Sequence, residues 1–129
     1  MNQQQIIEAH IIALQGLYKR IAEIAKSMGG KATEGIAPLR LTVNVASPRS
    51  ENVPALNVEM PDSFHVEFVP RNPLVNALSV QARRTHHGAG KNDWPFNFVQ
   101  DIWRMGQNPL SDDEIRRCLT PEGPRPALY

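Results

Sequence analysis

The densest group of chemistry-bearing side chains lies in the run Arg83-Arg84-Thr85-His86-His87-Gly88-Ala89-Gly90-Lys91-Asn92-Asp93. Arg83, Arg84 and Lys91 bring positive charge next to two glycines that let the backbone approach a ligand closely. Backbone N–H groups near a helix start, joined by cationic side chains, can hold a phosphate or carboxylate. A solvated loop with turn-forming glycines is the competing reading. The Gly90-Lys91 pair shares one element with a P-loop, but Thr85 stands where the first glycine belongs and Asn92 replaces the magnesium-binding Ser or Thr.

His86 and His87, with Asp93 beyond them, are candidates for a general acid–base pair or half of a metal site. Neighbouring side chains in extended chain point to opposite sides, so the two imidazoles do not readily share one ion. No third ligand is evident, since His65 falls in a strand pattern and His10 in a helical one. Neither a metal nor a cofactor is expected. No Ser-His-Asp order stands out, and Asp112-Asp113-Glu114 reads as the acidic first turn of a capped helix. Trp94, Phe96, Phe98 and Trp103 are better read as core than as a base-stacking platform, because their spacing suits one helix face and aromatics are few. The single thiol, Cys118, excludes an internal disulfide framework and a Cys-rich zinc site. It falls on the apolar side of a short helix and reads as an inert packing residue, although Arg116 and Arg117 beside it would favour a thiolate.

The elements that must position these groups follow from periodicity. Residues 3 to 28 spell one amphipathic helix, with Ile7, Ile11, Leu14, Tyr18, Ile21, Ala25 and Met28 at alternating spacings of four and three and Gly29-Gly30 as its stop. Such a seam packs inside the chain or pairs with a second copy. Alternation then marks strands at Leu39 to Val45, Leu56 to Met60, Phe64 to Phe68 and Leu78 to Arg83, with Ser47-Pro48-Arg49-Ser50, Pro61-Asp62-Ser63 and Pro70-Arg71-Asn72-Pro73 as breaks. Connections this short favour an antiparallel meander. Thr85 to Asp93 reads as a polar loop. Asp93 caps a further helix with Pro95 in its first turn, an apolar stripe of Phe96, Val99, Ile102, Trp103 and Met105, and Gly106 as its end. Ser111 with Glu114 forms a capping box for a last short helix through Ile115, Cys118 and Leu119. The expectation is a single α+β domain over residues 1–129: an N-terminal helix, a four-stranded antiparallel meander, then one or two C-terminal helices, with 120–129 a Pro-rich extended tail.

In this order the chain resembles the ubiquitin-conjugating enzymes and their inactive relatives. Leu17-Tyr18-Lys19-Arg20-Ile21 is similar to the family's basic first helix, and Phe64-His65-Val66-Glu67-Phe68-Val69-Pro70 followed by Asn72-Pro73 to its third strand and proline turn. His86-His87 falls where the family carries His-Pro-Asn, and Asp93-Trp94-Pro95, Ile102 and Asn108-Pro109 resemble its tryptophan, second helix and following turn. The resemblance spans residues 14 to 110 and implies work with a ubiquitin-like modifier and its activating enzyme, the first helix docking the latter. It also implies a thioester cysteine in the 85–93 loop. The sequence departs there: His87 is followed by Gly88, and no cysteine lies between His87 and Trp94. Ala89 or a neighbour is the candidate replaced position, in a natural inactive relative or through a Cys→Ala substitution. One of the histidines would order the loop, Asn92 would be the candidate oxyanion donor and Cys118 the fallback thiol. The alternative is a self-associating, non-catalytic module that captures an anion such as a nucleotide through the 83–93 loop.

Composition bounds both readings. At 129 residues and 14.4 kDa the chain has room for one modest core. Lys plus Arg number 14 against 13 Asp plus Glu, a net charge of +1 that argues against binding nucleic acid through bulk positive charge. Met1 to His10 carry no basic stretch, and the run Ile11 to Leu14 is too short for a signal core or a membrane span. A cytoplasmic protein without membrane contact is the expectation.

Overall fold

The computed structural model describes residues 3–41, 49–71, 78–86 and 92–120. The first element is α1 (Gln3–Ser27), ending one residue before the periodicity does. Its end is a Schellman motif: Gly30 N–H donates to Ala25 C=O at 2.8 Å and Gly29 N–H to Lys26 C=O at 3.1 Å. Gly29 sits at φ +85°, a conformation that suits glycine and brings the chain sharply round into the first strand.

Seven strands follow as one antiparallel sheet in simple sequence order: β1 (Lys31–Leu41), β2 (Arg49–Met60), β3 (Phe64–Arg71), β4 (Leu78–His86), β5 (Asn92–Val99), β6 (Ile102–Met105) and β7 (Asn108–Pro109). A 3-10 turn at Pro61–Ser63 links β2 to β3, and α2 (Asp112–Cys118) closes the described chain. The expected four-stranded meander followed by helices is therefore corrected to a seven-stranded sheet. The expected helix between Asp93 and Gly106 is instead two strands and the turns that bound them. Val99 faces Ile102 across a two-residue loop whose members, Gln100 and Asp101, have φ of 55° and 64°. Positive φ at both central residues is the type I′ hairpin turn. Met105 faces Asn108 across a second two-residue loop, which uses Gly106 at φ 65°. In a strand, Trp94, Phe96 and Phe98 share one side, a period of two hidden under a near-helical spacing of the later residues.

These hairpins also fix the direction of every backbone group in the sheet. Residues flanking a two-residue loop form a hydrogen-bonded pair, and in an antiparallel strand successive residues address opposite neighbours. Counting back from Val99 through the registers, odd-numbered residues of β1 address β2, and even-numbered residues of β1 address the open edge. All the strand prolines comply. Pro95 points its nitrogen toward the side where β6 has not yet begun, since that pairing starts at Asn97. Pro54 and Pro70 would be the next bonded pair of the β2–β3 ladder after Leu56 and Phe68, but neither has an N–H. The ladder stops there. Freed from β3, the β1–β2 ribbon turns over: Ala55 and Leu56 are both buried, while Thr33 and Glu34 are both exposed. Two-stranded ribbons twist more strongly than wide sheets, which brings Val53 inward from the other face. The first expected strand, Leu39 to Val45, is corrected accordingly: β1 begins at Lys31, and residues 42–48 lie outside the described residues.

The core lies between one face of the sheet and the helices. Val58, Val66, Phe68, Val80, Ala82, Trp94 and Phe96 pack with Leu14, Leu17, Tyr18, Ile21 and Ala25 of α1 and with Ile115, Cys118 and Leu119 of α2. The seam of α1 from Leu14 to Ala25 is thus filled from within the chain. Trp103 donates its indole N–H to the Ala13 carbonyl at 3.1 Å, tying the far end of the sheet to the helix.

Two outcomes test this geometry. Ile36→Pro leaves the β1–β2 ladder intact and changes unfolding free energy by less than about 1 kcal/mol, whereas Ala37→Pro removes a ladder donor and costs roughly 1–3 kcal/mol. Urea titrations of the two variants give the comparison, and equal losses refute the assigned alternation. Asp101→Gly relieves a left-handed residue in the hairpin and raises stability by about 1 kcal/mol in the same assay.

Candidate functional site

Strand alternation sends the adjacent arginines to opposite faces of β4. Arg84 enters the core and is only 3% exposed. Its Nε donates to the Cys118 carbonyl at 2.9 Å and its Nη2 to the Thr120 carbonyl. The guanidinium lies 4.6 Å from the Trp94 ring centroid and 5.4 Å from that of Phe64. A cation over aromatic faces, bonded to the carbonyls that a helix C-terminus leaves without partners, satisfies several needs at once. Arg84 is a fastener for α2. At the other end of that helix Arg20 of α1 donates to the Leu110 carbonyl at 2.7 Å and to Asp112 at 2.8 Å. The capping box between Ser111 and Glu114 forms as the sequence implies.

Arg83 stands on the opposite face, which carries neither of the described helices. The registers place it between Glu67 of β3 and the position of Asp93 on β5. Oppositely charged residues directly across a ladder stabilise each other, so this cation is set among carboxylate-bearing positions rather than presented alone to an anion. His86 ends β4 opposite Phe64, and Asn92 opens β5 opposite Arg84. His87, Ala89 and Lys91, with the rest of the expected loop between β4 and β5, lie outside the described residues. The strands extend into both ends of that loop, through Thr85 and His86 and from Asn92. The 120–129 tail is described only at Thr120.

Cys118 is fully buried, and burial pushes its thiol up to about 12, with the Arg84 guanidinium opposing the rise. A thiol held protonated and away from solvent is a poor nucleophile. Among the described residues no three His, Cys, Asp or Glu side chains gather as metal ligands. His10 is buried with Nδ1 unpartnered, and desolvation lowers its pKa. Tyr18 Oη and Trp94 Nε1 are likewise buried without a hydrogen-bond partner. The aromatics behave as core rather than as a stacking platform: Trp94 and Phe96 are fully buried, and Phe98 and Trp103 pack at 5.1 Å between centroids.

Sequence reasoning missed Arg84's role, although Leu78, Val80, Ala82 and Arg84 continue one parity and signal a cation on the buried face. It also missed the outer edge of β1, which pairs with no other described strand. There Ile36 is 74% exposed, between Gly35 and Ala37 and opposite Pro54. Comparison with family models, with curated proteins and with solved structures finds no match. No helix among the described residues is long and apolar enough to cross a membrane.

Arg84→Ala strips α2 of its fastener and removes the cation from between two aromatic rings. The expected loss is roughly 2–4 kcal/mol by urea titration, with Arg83→Ala below about 1 kcal/mol. Comparable losses at both positions would contradict the separation of roles.

Proposed function

We propose that this chain is a non-catalytic binding module of the cytoplasm that recruits another polypeptide. The observation that carries the reading is the outer edge of β1, which pairs with no other described strand and where backbone donors and acceptors stand beside an exposed Ile36. Sheet edges of this kind accept an added strand. The chemistry available elsewhere supports a non-catalytic role. The single thiol is buried and protonated, and the paired arginines are divided between a helix fastener and a position on the other face opposite Glu67. The cytoplasmic placement rests on the lone cysteine, which leaves no internal disulfide to form. Transfer of a ubiquitin-like modifier gains no support from the geometry, since the strands β5 and β6 stand where that family's second helix was expected.

The test sets the parent protein and an Ala89→Cys variant beside each other with ATP, an activating enzyme and its modifier. Intact mass on non-reducing samples is expected to show no thiol-sensitive adduct on either. An adduct on the variant overturns the non-catalytic reading and identifies a disabled conjugating site. An adduct on the parent overturns it equally and places the chemistry at Cys118.

A further inference from the structure

The open edge specifies what can lie along it. Even-numbered residues of β1 address solvent, so Ala32, Glu34 and Ile36 each offer an N–H and a C=O outward. Pro38, next in that series, offers a carbonyl alone and ends the useful stretch. At the other end Gly30 has its N–H bonded to the Ala25 carbonyl at 2.8 Å. The available ladder therefore runs from Ala32 to Ile36.

A second copy of the chain does not fit this stretch. Antiparallel pairing of two identical edges about a two-fold axis must match outward residues with outward residues. An axis at Glu34 sets two glutamates directly opposite, which is destabilising. An axis at Gly35 brings Pro38 opposite Ala32, and one at Ile36 brings Pro38 opposite Glu34. An axis at Thr33 demands the Gly30 N–H that α1 already holds. Each register loses bonds or opposes like charges.

Resting on the binding-module reading, we infer that the Ala32–Ile36 edge takes an extended segment of a different polypeptide in antiparallel pairing, with an apolar residue facing Ile36 and a basic one facing Glu34. Ile36 and Glu34 are two apart and share a face, so in the antiparallel sense the incoming segment reads apolar, any, Lys or Arg. Lys31, exposed on the other face, adds a preference for an acidic residue three positions further on. Gly35 has no side chain, and the methyl group of Ala37 is too small to obstruct the approach.

The probe is the capped peptide Thr-Val-Thr-Lys-Thr-Val-Glu, with the charge-reversed Thr-Val-Thr-Glu-Thr-Val-Lys as its control, added to the full ¹⁵N-labelled chain. Amide exchange is expected to slow at Ala32, Glu34 and Ile36 and to change little at Thr33 and Ala37, whose N–H groups already bond to β2. The charge-reversed peptide binds roughly tenfold more weakly, and Glu34→Lys with Lys31→Glu inverts that preference. Ile36→Pro, which keeps the fold, loses the exchange protection and the binding together. Equal affinity for both peptides overturns the assigned charge pattern. Shifts confined to the face around His65 and Arg83, or none at all, overturn the edge site while leaving the adduct test of the binding-module reading untouched. Protection of β1 without peptide, growing with protein concentration, overturns it in favour of self-pairing.

Discussion

An antiparallel strand can bond to a neighbour only through every second residue, and most of this molecule follows from that constraint. The two-residue hairpins at Gln100-Asp101 and Gly106-Gln107 set the phase, and each register transmits it to the next strand. The prolines then act as stops placed in phase with it. Pro54 and Pro70 confront each other where β2 and β3 part, Pro95 faces a gap beside β6, and Pro38 faces solvent. None removes a bond from a ladder that exists. A proline one residue away from any of these positions would remove one, which is why proline-containing strands are compatible with so wide a sheet.

The same alternation decides the fate of charged residues. Arg83 and Arg84 are neighbours in sequence, yet one stands on the face that carries neither described helix and the other is buried between Trp94 and Phe64. Burial of a guanidinium is costly unless its donors find acceptors. Here the acceptors are the carbonyls at the end of α2, so the cation and the helix terminus satisfy each other. A helix of seven residues is marginal by itself. Its stability comes from Ile115, Cys118 and Leu119 in the core, from its capping box and from the arginines at its two ends. Cys118 is thereby fixed in a place where its thiol has packing value and little reactivity.

Legibility in the sequence followed the strength of the local pattern. The first helix, its glycine cap, the cores of β2, β3 and β4 and the Ser111 capping box were readable because one periodicity dominated each. The segment from Asp93 to Gly106 was not. Its first hairpin turn lacks the Asn-Gly or Asp-Gly pair that announces type I′, and Gln100-Asp101 adopts positive φ because the flanking strands impose it. Phe96, Val99, Ile102 and Trp103 meanwhile satisfied helical spacing, so tertiary pairing overrode a plausible local reading. The first half of β1 carried no apolar alternation because it lies at an edge and changes face midway. The candidate site was legible as a cluster of residue types, but a cluster in sequence is divided by a strand into two faces, and only the registers reveal which residue goes where.

The β1 edge is a selective surface because its backbone contribution is small in net terms. Each hydrogen bond gained by an added strand contributes about 0.5–1.5 kcal/mol after exchange with water. Ordering each residue of the incoming segment costs about 1–2 kcal/mol, so the ladder alone comes close to cancelling. Side chains must then decide the outcome. Ile36 has most of its surface still to bury, Glu34 supplies a charge, and Pro38 limits how long the partner strand can run. A short edge of this kind discriminates by its few side-chain pairs and releases its partner readily, whereas a long, flat, apolar edge would bind many strands without distinction. Pro38 and Glu34, which impede pairing between copies, are the same groups that confine a partner to one register.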